Sequence, residues 1–302
     1  MNVGVMDRFL LMQCFARTVE MGSFSAAARD LGLSQPNVSR YVAALESHLQ
    51  HRLLQRSTRS LHLTPEGERY YAEARRILDA VADAESSLKS EVVPAGLLRV
   101  ACPTALAHEF VVPQVPSFLR AYPDLELDLQ ISDRFVNLID EGVELALRIG
   151  QLSDSALRAR RIGLFKRICV AETAYLEARG TPQTPEDLGQ HDCIVYSLLS
   201  TGAVWRFAGT EVAVSGRLRV NSPQAVREAA LAGLGIALGP SWLFEEGLRT
   251  GRLQRVLQGN EAPPVPIHML YVENRLLPRR AIAFMDFIAD AFGRVEALNA
   301  AT

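Results

Sequence analysis

The sequence predicts an α+β multidomain chain with a small helical head carrying a hairpin wing, one long linking helix and a C-terminal α/β body in two lobes. Three observations predict it. Between Ser23 and Thr64, two short helical segments flank a sharp turn and lead into a basic, alternating segment. From Pro65 to about Val93, apolar residues recur at roughly heptad spacing. Beyond Pro94-Ala95-Gly96, apolar runs alternate with helical patterns, which implies parallel sheets covered on both faces.

The 302 residues suffice for two or three domains, and 48% apolar with 22% charged residues describes a soluble globular protein. The net charge of −2 excludes a polycation, yet residues 1–64 hold seven arginines against four carboxylates, a local charge of +3. A basic head on a mildly acidic body suits a nucleic-acid reader with a second, non-binding domain. Lys89 and Lys166 are the only lysines, which reads first as coding bias. Cys14, Cys102, Cys169 and Cys193 form no CxxC pair and have no histidines at metal-ligand spacing, so they read as reduced thiols, with no metal and no cofactor expected. Asp7 interrupts any leader-like start, and no apolar run approaches the ~20 residues of a membrane helix, so a cytoplasmic location is expected.

In order along the head, Met6–Met21 presents Phe9, Leu10, Met12, Phe15, Ala16 and Val19 on one helical face. Ser23 caps a helix running to about Leu31, and Gly32 ends it. Ser34 caps the third helix, whose first turn accommodates Pro36 because the missing N–H has no partner to lose there. Val38, Val42, Leu45 and Leu49 should pack inward, which leaves Gln35, Asn37, Ser39, Arg40 and Tyr41 on the other faces. Leu53–Thr64 should form a two-stranded wing with Ser57-Thr58-Arg59-Ser60 at its tip.

The helix from Pro65 carries Ala74, Ile77, Leu78, Val81, Ala84 and Leu88; this stripe either covers the chain's own body or forms a dimer seam. In the body, strands are expected at Leu97–Cys102, Leu125–Ile131, Leu145–Ile149, Ile168–Ala171, Ile194–Tyr196, Val212–Val220, Gly233–Leu238 and Ile267–Val272. Helices are expected at Leu106–Tyr122, Phe135–Gly142, Ala174–Gly180, near Pro223–Ala232, at Trp242–Thr250 and at Pro278–Phe292.

These residues resemble the LysR-type transcriptional regulator family over essentially the whole chain. The head carries Phe24-Ser25-Ala26-Ala27-Ala28, Leu31, Ser34-Gln35-Pro36, Val38-Ser39, Leu45-Glu46, Leu49, Arg56, Arg59 and Leu63-Thr64-Pro65-Glu66-Gly67. The body is similar to the CrgA-like subgroup in Gly96-Leu97-Leu98-Arg99-Val100, Ser132-Asp133-Arg134-Phe135-Val136, Ala146-Leu147-Arg148-Ile149-Gly150, His191-Asp192-Cys193, Trp205-Arg206-Phe207 and Ala230-Leu231-Ala232-Gly233-Leu234-Gly235. Two positions depart from the pattern. Gln50 stands where the family usually has glycine, and Leu54 where it usually has phenylalanine.

The resemblance implies a winged helix-turn-helix over 1–64, a linker and dimerisation helix over 65–93, and a two-lobed domain like a periplasmic binding protein over 94–302. Lobe I would take about 97–163 and 268–302, and lobe II about 164–267. It further implies pairing through the linker helices into a homodimer and then a homotetramer. A small-molecule effector between the lobes would alter contacts to double-stranded promoter DNA.

On the DNA side, Gln35 and Asn37 can read adenine edges, Arg40 guanine, and Pro36 a thymine methyl. Ser34 and the helix N-terminus can hold a phosphate; Ser39 shares the exposed face; Arg56 and Arg59 suit the backbone and minor groove. The effector candidates sit where strands end, since α/β sheets bind ligands outside their carboxyl edges. In the first lobe these are Thr104, Ser132, Asp133 and Arg148; in the second, Tyr196, Asn221, Ser222, Gly239 and Pro240. Thr104 serves equally as a helix cap, and Arg148 equally as a salt-bridge partner of Asp133 or Glu144. Cys102 reads as a buried thiol ahead of a redox sensor, and Trp205 and Phe207 as packing. An enzyme is the rival class, but no G-x-S-x-G, H-E-x-x-H, P-loop or G-x-G-x-x-G pattern is present. A free-standing solute-binding protein would lack the first 64 residues.

Overall fold

The computed structural model describes residues 7–299 except 57–60, 88–92, 135–137, 139–140, 153–156 and 273–276; the side chains of residues 56, 79 and 82–87 also lie outside the description. The chain divides into two compact units, Met1–Val92 and Val93–Thr302.

In the first unit, helix α1 (Arg8–Met21) opens on Asp7, whose carboxylate accepts the Phe9 N–H at 2.9 Å, and closes on Gly22 at φ 60°. Helix α2 (Phe24–Asp30) is capped by the Ser23 hydroxyl, which accepts the Ala26 N–H. Gly32 at φ 64° makes the turn into α3 (Gln35–Leu49). Ser34 occupies the N-cap position of α3 as expected, but its side chain makes no capping hydrogen bond. The three helices close over Leu11, Cys14, Phe15, Ala27, Ala28, Val38, Val42 and Leu45. Each large side chain buried there contributes about 1.5–3 kcal/mol. Leu49 is only partly buried at the margin of this core, and Leu54 fills the place of the usual phenylalanine within it.

Strands β1 (Leu54–Arg56) and β2 (Leu61–Leu63) pair antiparallel as the wing. Its tip, Ser57–Ser60, lies outside the described residues. Thr64 joins wing to linker: its hydroxyl donates to the Arg52 carbonyl at 2.6 Å and accepts the Gly67 N–H at 2.9 Å. Helix α4 (Pro65–Ser87) follows, 23 residues or about 35 Å long. Along its stripe Ala74 and Leu78 are buried within the chain, Val81 is half-buried and Ile77 is 45% exposed. The side chain of Ala84 and all of Leu88 lie outside the described residues.

The second unit opens with β3 (Gly96–Cys102) and a helical stretch of α5 (Thr104–Leu106), a π turn over Ala107–Val111, a 3-10 turn over Val112–Gln114 and α6 (Val115–Ala121). The expected Leu106–Tyr122 helix is thus an irregular one that starts at Thr104, and Pro113 and Pro116 account for its broken hydrogen-bond ladder. Strands β4 (Leu125–Ile131), β5 (Leu145–Ile149) and β6 (Leu157–Phe165) follow. Of the helix expected over Phe135–Gly142, the described residues Leu138, Glu141 and Gly142 are turn, and the others lie outside the description.

The chain continues through β7 (Arg167–Glu172), α7 (Thr173–Arg179), β8 (Cys193–Tyr196), β9 (Val204–Phe207), β10 (Thr210–Ala213), β11 (Arg219–Val220), α8 (Pro223–Leu231), β12 (Ile236–Pro240), α9 (Glu245–Arg249), β13 (Leu253–Val256), β14 (Val265–Val272) and α10 (Arg279–Gly293). The single strand expected over Val212–Val220 is therefore two: β10 pairs with β9 as a separate hairpin, and β11 joins the larger sheet.

Two five-stranded sheets result, in the orders β4-β3-β5-β14-β6 and β11-β8-β12-β7-β13. They are mixed, which corrects the all-parallel expectation. β14 runs antiparallel to β5 and β6, and β7 antiparallel to β12 and β13. The buried Glu144 holds the first sheet to α10: one carboxylate oxygen accepts Arg280 Nη2 at 2.9 Å, the other the Arg99 N–H at 2.8 Å.

Candidate functional site

In the head, α3 turns its apolar stripe inward, so its polar N-terminal half is left outward. Ser34, Gln35, Pro36 and Arg40 are exposed, and Asn37 and Ser39 half-buried. The Arg40 guanidinium donates to Asn37 Oδ1 at 3.0 Å and lies 5.5 Å over the Tyr41 ring. The two side chains are thereby held together, a pre-formed donor array on a surface helix. Arg56 ends β1, with its side chain outside the description, and Arg59 lies outside the described residues altogether.

A residue that sequence reasoning quoted only as part of a motif fixes this geometry. Glu46, 6% exposed, accepts the N–H groups of Leu53 and Leu54 at 2.8 and 3.1 Å and faces Arg52 at 3.7 Å. One buried carboxylate thus ties the end of α3 to the start of the wing. A second network anchors the linker: Arg17 bridges Asp30 and Glu20, and Glu20 also receives Arg75 at 2.9 Å and the Tyr71 hydroxyl at 3.3 Å.

In the second unit, a cavity of about 190 Å³ opens at the strand ends of both sheets. Asp133 follows β4, Arg148 and Ile149 end β5, Phe165 ends β6, Tyr196 ends β8, and Gly239 and Pro240 end β12; all line it. Five of the nine effector candidates are therefore brought together: Asp133, Arg148, Tyr196, Gly239 and Pro240. Thr104, Ser132, Asn221 and Ser222 are not in the lining. Polar groups of three of them serve the frame instead. The Thr104 N–H donates to Asp133 Oδ1 at 2.9 Å, the Ser132 hydroxyl accepts the Arg134 N–H, and the Ser222 hydroxyl caps α8 through the Ala225 N–H.

Sequence reasoning missed Arg167 and Trp242 and read Trp205 as packing. All three line the cavity, and Trp205 is also 2% exposed in the core. No sequence signal marks Arg167: β7 runs antiparallel, so its first residue, paired with Pro240, sits beside the carboxyl ends of β8 and β12.

Burial lowers the pKa of both Arg148 and Arg167 from the ordinary arginine value, the sign of desolvated cations. Burial, reinforced by Asp133, raises the Tyr196 phenol above its ordinary value, so it stays a neutral donor. Arg148 Nη1 donates to the Arg134 carbonyl at 3.0 Å, and Glu144, one of its expected partners, is taken by Arg280. Burial also raises the thiol of Cys102, and that of Cys193 to about 12, which disfavours the thiolate on which redox sensing depends. Among the described residues no cluster of metal-ligating side chains occurs.

Known proteins share this architecture. Residues 9–68 match the model of the bacterial regulatory helix-turn-helix protein of the lysR family, and residues 92–293 that of the LysR substrate binding domain. The chain is 34% identical to the HTH-type transcriptional activator AaeR of Escherichia coli (strain K12), with 96% of each chain covered. It is 34% identical to the HTH-type transcriptional regulator CrgA of Neisseria meningitidis serogroup C, covering 92% of this chain and 95% of that one. The solved structure of CrgA from Neisseria meningitidis aligns with a TM-score of 0.60 at 32% identity, covering 93% and 97% of the two chains. The full-length Vibrio cholerae virulence activator AphB aligns at 0.58 and 31%, covering 93% and 98%.

Proposed function

Because this chain belongs to the LysR family of transcriptional regulators, with a DNA-binding helix-turn-helix domain ahead of an effector-binding domain, we propose that α3 enters the major groove while the cavity of the second unit receives the effector. The protein is a regulator of transcription and not an enzyme. Among the described residues no helix is long and apolar enough to cross a membrane.

The observation that carries the DNA-reading proposal is the two-faced helix α3, apolar Val38, Val42 and Leu45 inward and Gln35, Pro36, Asn37 and Arg40 outward at its N-terminal half. Those four read base edges; Ser34, Ser39 and the helix N-terminus take phosphates; Arg56 and Arg59 on the wing take the backbone and minor groove. The functional division is a head over 1–64, a linker over 65–93 and an effector domain over 94–302, whose two sheets part at Lys166 and over 257–264, a few residues from the expected 163 and 268. Asp133, Arg148, Tyr196, Gly239 and Pro240 contact the effector directly, while Thr104, Ser132 and Ser222 brace the segments that present them. The linker helices pair two chains, and two dimers form the tetramer that reads spaced half-sites. Footprinting the purified protein on the upstream region of its neighbouring genes tests the reading, with protected half-sites spaced by whole helical turns expected. Protection without any sequence preference would refute it.

A further inference from the structure

The cavity has a chemistry of its own, and reading it deepens the proposed effector site, on which this inference rests. Its ionisable lining is Arg148, Arg167, Asp133 and Tyr196. With Tyr196 neutral, the lining holds two cations and one anion, and Glu141 beyond the lining also acts on Arg148. Asp133 already accepts the Thr104 N–H, and Arg148 already donates to the Arg134 carbonyl. Arg167 differs: among the described residues no acceptor or carboxylate takes its guanidinium, although burial desolvates it. A desolvated, uncompensated cation costs stability unless something else answers its charge.

A second orphan stands at the same cavity. Trp242, 6% exposed, has its indole N–H buried with no partner among the described residues. Natural proteins leave few such groups unsatisfied, and those they leave need a reason. The remaining walls are apolar, including Phe165, Trp205 and Leu243. An apolar cavity of about 150 Å³ accepts one benzene ring, so about 190 Å³ admits one ring with one small polar group.

We propose that this cavity selects a compact apolar monoanion, of the size and shape of an aromatic monocarboxylate, with its carboxylate on Arg167 and the Trp242 indole N–H. One negative charge answers Arg167, whereas a second would fall to Arg148, which Glu141 and the Arg134 carbonyl already engage. Polyols, sugars and free phosphate lack the apolar body that most of the wall requires. Arg167 is then the residue that discriminates charge, and Trp242 the one that orients it.

Titration calorimetry on the full-length protein tests this with four probes: benzoate, its neutral isostere benzamide, hexanoate and inorganic phosphate. Benzoate should bind saturably at millimolar concentration or better, with benzamide and phosphate at least ten-fold weaker and hexanoate between them. Arg167→Gln should weaken benzoate by roughly ten- to a hundred-fold and leave benzamide unchanged. Arg167→Lys should recover part of the loss, since charge returns without the fork. Trp242→Phe should weaken benzoate by a smaller factor. Without ligand, the melting temperature of Arg167→Gln should hold or rise, because an unanswered cation has been removed; a merely structural arginine would lower it. Equal binding of benzoate and benzamide, full benzoate binding by Arg167→Gln, equal binding of phosphate, or no saturable benzoate binding at about 1 mM each overturns the proposal. Benzoate that binds with this selectivity yet leaves the operator footprint unchanged upholds the charge selectivity and strikes only the proposed coupling to DNA.

Discussion

Arg40 shows how much one side chain's surroundings decide. It projects from the N-terminal half of α3 and is held by Asn37 and by the face of Tyr41. Its donors are pre-oriented, so little rotamer freedom is lost when they meet a guanine edge. Arg40→Ala should cost about 1–3 kcal/mol of operator affinity and relax preference at one base pair. Arg59→Ala should weaken all sequences alike and flatten the salt dependence. Footprinting both variants at two salt concentrations separates them, and unchanged operator affinity for Arg40→Ala would remove it from the base readers. The same scale explains what sequence reading found and missed at the cavity. Asp133, Arg148, Tyr196, Gly239 and Pro240 follow strands at their carboxyl ends, so the rule for parallel sheets locates them. Arg167 begins a strand, and only knowing that β7 is reversed brings it to the same edge. Thr104 obeys the rule in position but spends its N–H on Asp133.

At the scale of elements, legibility followed periodicity. The helices of the head have one core to face, so Val38, Val42 and Leu45 could be read from spacing, whereas the buried Glu46 could not and Leu49 stays at the margin. Strand β6 was not legible, because its outer half reads Leu-Arg-Ala-Arg-Arg and resembles a charged loop; it is an edge strand, and such charges shield edges. The run Val212–Val220 looked continuous but breaks at Gly216, where a Cβ would lie 2.1 Å from the Cys193 carbonyl oxygen, so only glycine lets the chain pass. Gln50 is the clearest departure that structure explains. It terminates α3 at φ 55°, ψ 27°, the left-handed region that glycine enters freely and a residue with a Cβ enters at a cost. Gln50→Gly should therefore stabilise the head by up to about 1 kcal/mol despite the greater chain entropy of glycine. Thermal unfolding would show this as a rise of a few degrees, and a lower melting temperature would contradict the strain.

At the scale of the whole molecule, the linker stripe divides in two. Ala74 and Leu78 are already buried within the chain, whereas Ile77 stays 45% exposed. Among the described residues, the part of the stripe left for the proposed pairing is therefore Ile77 and the half-buried Val81. Ile77→Asp with Val81→Asp should place charge in that seam at a cost of several kcal/mol. Light scattering should then report smaller particles, with operator binding lost because half-sites are no longer read together. An unchanged particle mass would move the seam elsewhere. One further feature sets how the second unit can move. The backbone passes between the two large sheets twice, once at Lys166 and once over 257–264. Two such tethers favour rotation about the line that joins them over twist or shear, with the packing of Phe110 and Phe165 on Trp242 resisting it. A molecule held at the strand ends thus acts on a single angle, as a wedge acts on a door. Cutting the 257–264 passage would leave Lys166 as the one covalent hinge pin, and the torque would then rest on the aromatic latch of Phe110 and Phe165 against Trp242.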